Sequence, residues 1–104
     1  MLGFAMRAGK VIIGTETVCS YMAKDRKPNL VLIATDASEG TKKKISTKAE
    51  FYGVDCFEIN IDSDELGRLL GKLYAPATLA ITDDGFAREI KLALSGSGKE
   101  VTDN

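Results

Sequence analysis

The sequence predicts an α/β protein, a three-layer α/β/α sandwich around a four-stranded mixed sheet. Three observations carry that expectation. Apolar, β-branched runs alternate with helical segments along the chain, the pattern of helices layered on a sheet. A Gly, a Pro or a capping Ser or Asp marks a boundary of each helical segment. The run Asn29 to Thr35 is almost unbroken in apolar residues, as expected of a central strand covered on both faces.

Taken in order, Leu2 to Ala8 reads as a short helix closed by Gly9, and Lys10 to Ile13 as a short strand. Gly14 opens a helix from about Thr15 to Arg26, with Val18, Met22 and Cys19 toward the core, and Pro28 forbids its continuation. After the central strand, Ser38 is a natural N-cap for a helix over Glu39 to Tyr52. Ile45, Ala49 and Tyr52 form its core stripe, and Gly53 is its stop. Val54 to Ile61 alternates enough for a third strand, and Asp62 to Glu65 resembles a capping box for a helix ending at Leu70. Ala77 to Ile81 is the fourth strand; Asp83 or Asp84 caps a last helix ending near Leu94. Residues 1–94 are therefore expected to form one domain, with 95–104, rich in Ser and Gly, as a flexible tail.

Composition narrows the chemistry. The chain has 104 residues and is 44% hydrophobic, enough to fold around a core without disulfides or metal. It contains no histidine, which excludes His-based acid–base catalysis and zinc–His sites. Cys19 and Cys56 form no CxxC pair and read as small core residues. The longest apolar run, Leu30 to Ala34, is far shorter than a membrane span. The N-terminal charge follows the apolar residues, the reverse of a signal peptide, so a cytoplasmic protein is expected. Net charge is −1, yet residues 1–54 carry nine Lys/Arg against five Asp/Glu, and residues 55–104 carry five against ten. A local positive patch can survive such a neutral total.

Four segments are candidate sites. Lys10 with Gly14-Thr15-Glu16-Thr17 stands at a helix start, where free N–H groups attract anions, although the same residues also serve as ordinary capping. Lys42, Lys43 and Lys44, with Lys48, crowd the first half of a helix, where cations oppose the macrodipole. Local stability does not account for them, whereas phosphate contact or a solvated face does. Asp36 to Lys42 lacks the spacing of a nucleotide-binding loop, so Asp36 is assigned capping or turn duty. Finally, Lys72-Leu73-Tyr74-Ala75 places apolar residues on a loop, for packing or for stacking on splayed RNA bases.

The ordered set Leu2–Lys10, Gly14–Val18, Leu30–Ser38, Thr41–Ile45, Glu65–Gly71 and Ala80–Ala87 resembles the kink-turn-binding ribosomal L7Ae/L30e family, in its short, YlxQ-like bacterial branch. The resemblance covers residues 1–92. It implies an α/β/α sandwich, RNA as the partner with possible ribosome association, no cofactor or small-molecule substrate, and no catalysis. In the family the first long helix begins Gly-Thr-Asn-Glu-x-x-Lys and reads tandem G·A pairs. Those positions fall on Gly14, Thr15, Glu16, Thr17 and Ser20, so three identities differ. The second family contact falls on Lys72 to Ala77. The resemblance thus implies RNA contacts from Gly14, Thr15, Glu16, Thr17, Lys72, Leu73, Tyr74 and Ala75, and the charge pattern adds Lys10, Lys42, Lys43 and Lys44 as expected phosphate contacts. A protein-interaction module that kept the fold without RNA affinity is the alternative, and an enzyme is a distant third.

Overall fold

In a computed structural model, the structure describes residues 2–24 and 27–96. The elements are α1 (Leu2–Arg7), β1 (Val11–Ile13), α2 (Thr15–Met22), β2 (Leu30–Ile33), α3 (Glu39–Tyr52), β3 (Cys56–Glu58), α4 (Ser63–Leu70), β4 (Thr78–Ile81) and α5 (Asp84–Gly96). The strand order is β1-β4-β2-β3. β4 runs antiparallel to both β1 and β2, while β2 and β3 are parallel, giving the expected mixed sheet.

Side-chain alternation on the two central strands builds two cores. Leu30, Leu32, Leu79 and Ile81 pack with Ala5, Leu66, Leu70, Ala87 and Ile90 of α1, α4 and α5. Val31, Ile33 and Ala80 pack with Val18, Met22, Ile45 and Ala49 of α2 and α3. A slip of one residue in β2 or β4 would exchange the two sets, so both faces fix the register. β2 and β4 are wholly buried, which explains the unbroken apolar sequence of β2 and, Thr78 apart, of β4, whereas the edge strands β1 and β3 are half-buried.

Local signals set most boundaries. Ser38 accepts a hydrogen bond from the Thr41 amide at 3.1 Å, and α3 spans Glu39–Tyr52 as expected. Asp62 caps α4 through the Glu65 amide, and Asp83 caps α5 through the Phe86 amide. Several boundaries differ from the expected ones, three of them for identifiable reasons. α2 ends at Met22 because Lys24 donates to the Tyr21 carbonyl, tightening the last turn instead of extending it. The predicted end at Arg26 lies outside the described residues. The third strand shrinks to Cys56–Glu58, since an edge strand persists only where β2 offers partners, Val31 to Ile33. α5 continues through 95 and 96, which the sequence placed in the tail; the rest of that tail, 97–104, lies outside the described residues.

Candidate functional site

β1, β2 and β3 finish, and β4 starts, at the same end of the sheet. The start of α2, the turn into α3 and the loop 71–77 therefore meet there. The Gly14 amide donates to the Thr78 carbonyl at 2.9 Å, and the Ala34 amide donates to the Ala77 carbonyl at 2.8 Å. The hydroxyls of Thr15 and Thr78 are hydrogen-bonded at 3.1 Å. Thr78 is fully buried, so this bond satisfies a hydroxyl that has no access to water. Thr15 consequently acts as a clamp between the head of α2 and the root of the loop.

Gly14 has φ 109° and ψ 140°, a backbone that side-chain-bearing residues rarely adopt. A Cβ there would meet only Thr17 Oγ1 at 3.6 Å, so conformation rather than crowding selects glycine. No side chain caps α2, and the amides of Thr15, Glu16 and Thr17 have no hydrogen-bond partner among the described residues. Three donors and the positive end of the helix dipole thus face solvent at this point.

The lysine run does not act as one patch. Successive helical residues are rotated by about 100°, so Lys42 and Lys44 lie on opposite flanks of α3. Lys44 pairs with Glu16 on α2 at 2.8 Å, and Lys42 pairs with Glu58 on β3 at 3.1 Å. Lys43 lines a depression on the β3 side with Glu39, Ser46 and Cys56. The expectation that local stability does not account for these lysines is therefore corrected for two of them, which have carboxylate partners. The Lys44 hydrogen bond and charge hold the Glu16 carboxyl below its ordinary pKa, and Glu16 raises that of Lys44 in return. Both groups are exposed, so the pair is readily screened by salt. Lys10 belongs elsewhere: its carbonyl accepts from Thr82 at the far end of β1, away from Gly14.

The loop leans on α4 through its backbone. Gly67 is buried, and a Cβ there would overlap the Tyr74 carbonyl and touch Pro76. The Lys72 amide donates to the Gly67 carbonyl at 2.8 Å, and Pro76 is buried. With the backbone pinned, Leu73 is wholly exposed at 107% and Tyr74 at 56%. Ala75 is also exposed and Lys72 half-buried. Packing against the neighbouring helix accounts for the backbone of this loop but not for the Leu73 side chain. Gly67 was not singled out in the sequence, although a glycine inside a short helix is a signal of close approach.

Of the capping or turn duty expected of Asp36, the structure shows capping, at the start of α4. The Asp36 carboxylate accepts from the Ser63 amide at 2.8 Å and the Ser63 hydroxyl at 2.9 Å, which hold its pKa below the ordinary carboxylate value. Among the described residues there is no cluster of three metal-ligating groups, and no helix is long and apolar enough to cross a membrane.

Residues 1–91 match the Ribosomal protein L7Ae/L30e/S12e/Gadd45 family. The chain belongs to this family. The RNA-binding protein YlxQ of Enterococcus faecium is 38% identical over 92% of this chain and 89% of that protein. The RNA-binding protein YlxQ of Bacillus subtilis is 37% identical over 86% and 87%. A Bacillus halodurans C protein of unknown function superposes with a TM-score of 0.82 at 29% identity, covering 90% of this chain and 92% of that one. The Giardia lamblia 15.5kD RNA binding protein shares the fold, with a TM-score of 0.72 at 16% identity over 91% and 78%. Within the family frame, Thr17 and Ser20 are exposed beside the free amides, while Glu16 turns to Lys44.

Proposed function

We propose that this chain is a non-catalytic, cytoplasmic protein that binds structured RNA, of kink-turn or ribosomal type, through the Gly14–Thr17 head and the Lys72–Ala77 loop. The observation that carries this reading is the double link of Gly14 and Thr15 to Thr78. It makes one composite surface from two segments about sixty residues apart (|i−j| is 63 for the hydroxyl pair). Family membership supplies the class of ligand.

The chemistry suits RNA. Unpartnered amides at a helix start donate to phosphate oxygens or to base acceptors. Leu73 and Tyr74 offer apolar area on which an unstacked base can lie. Lys44 and Lys72 flank the surface as phosphate partners, and an arriving phosphate competes with Glu16 for Lys44. Lys10, at the far end of the sheet, and Lys42 and Lys43, on the β3 flank, stand apart from it. No carboxylate on the surface is poised as an acid or base, since Glu16 is held by Lys44 and Asp36 by Ser63.

Fluorescence anisotropy with a labelled kink-turn duplex, repeated over a salt series, tests this placement. Lys44→Ala should weaken binding and lower the slope of log K against log salt by somewhat under one unit. Glu16→Gln should do the opposite by releasing Lys44, and Lys10→Ala should change neither affinity nor slope. Equal effects from Lys10→Ala and Lys44→Ala would show that binding is diffuse and not centred on the Gly14 end.

A further inference from the structure

We infer that the seam between α2 and α3 is a second RNA contact, along which a single strand leaving the Gly14 end runs until an unpaired base stacks on Phe51. The inference rests on the proposed RNA-binding surface for its starting point and on separate residues for its course.

β1 and β2 both oppose β4, so they are parallel to each other, and the helices that follow them start together at the Gly14 end. On α3, Lys44, Lys48 and Tyr52 recur every four residues and form one row. Lys44 marks where that row faces, because it bonds Glu16 on α2. The charge of Lys48 also acts on Glu16. At the foot of the row, the Lys27 ammonium sits over the Tyr52 ring at 5.7 Å. Phe51 meets Tyr52 edge to face, with centroids 4.9 Å apart and planes at 86°.

Two features distinguish this seam from an ordinary solvated face. Phe51 is 80% exposed although its neighbour Tyr52 packs against the core, so the ring without a hydroxyl is the one left in water. Lys27 and Lys48 form no ion pair with any carboxylate among the described residues. Glu16, at the head of the seam, is already paired, and Glu50 lies about 200° around α3 from Lys48. Cations interleaved with rings bind single-stranded nucleic acid by phosphate contact and base stacking. A protein partner for Phe51 would instead call for an apolar surround. From Lys44 to Tyr52 the row spans about 12 Å, the length of three to four stacked nucleotides.

The test uses the full chain and two probes, a labelled twelve-nucleotide oligouridine and a kink-turn duplex made blunt or with a six-nucleotide uridine extension. The oligouridine should bind the wild type at low salt, and Phe51→Ala and the double variant Lys27→Ala/Lys48→Ala should each weaken it about ten-fold. The extension should tighten duplex binding by the wild type but not by either variant, and thermal melts should show both variants folded. Oligouridine that fails to bind, or binds the variants as well as the wild type, overturns the proposal. So does a Phe51-dependent dimer in sedimentation, which would assign the ring to a second copy of the chain. If the blunt duplex alone fails to bind, the Gly14 surface is refuted while the oligouridine result still decides the seam.

Discussion

Cys56 lies on β3 against the core beneath α2 and α3, and burial pushes its thiol pKa from 9.0 to about 11. The folded protein therefore holds the thiol proton more tightly than the unfolded chain. The resulting stabilisation is complete below pH 9 and is lost as the pH rises from 9 toward 11. Because thiolate is the reactive species, Cys56 in the native protein at pH 8 should alkylate with iodoacetamide at least about ten-fold more slowly than in urea-unfolded chain. Equal rates in the two states would show that Cys56 is not shielded. Both cysteines were legible as apolar-face residues from the missing histidine and the missing CxxC. The Lys44–Glu16 pair was not, because it joins residues 28 apart whose approach depends on the packing of two helices.

At the scale of elements, the sequence predicts what neighbours in the chain decide. The bounds of α3 follow from Ser38 and Gly53, each a local device, and appear in the structure unchanged. The short β3 depends on how much of β2 is available to pair, which no local pattern encodes. The lysine run shows the same distinction: three consecutive residues look like a patch on paper but are spread around a helix in space. The loop on α4 carries a prediction of its own. Gly67→Ala gains helix propensity worth up to about 1 kcal/mol, yet its methyl overlaps the Tyr74 carbonyl, and such overpacking costs about 1–3 kcal/mol. A thermal melt should show net destabilisation. The displaced loop should also bind RNA more weakly, because it carries Leu73 and Tyr74 of the proposed surface. A variant as stable as the wild type would mean that the loop rearranges freely and is not pinned by Gly67.

For the whole molecule, the decisive feature is the insertion of β4 between β1 and β2. This places Thr78 beside Gly14 and Ala77 beside Ala34, so three separated segments share one surface. The extended β1 itself separates Lys10 from Gly14, which are close along the chain but flank its opposite ends. The α/β/α layering was readable from alternation, whereas the strand order rests on long-range pairing without a local signature. The family frame then isolates three side chains at the head of α2. Glu16→Asn releases Lys44, Thr17→Glu supplies a two-oxygen acceptor for a guanine edge, and Ser20→Lys adds a phosphate cation. Positions 16 and 20 share a face, and 17 and 20 are neighbours one turn apart. The most direct test of the Gly14 end as an RNA surface is the dissociation constant of this triple variant for a kink-turn duplex, set against that of the wild type. A bidentate base contact is worth about 1–3 kcal/mol, so the variant should bind ten-fold or more tightly, with little gain for a plain duplex. A folded triple variant that binds the kink-turn no better than the wild type would contradict the account.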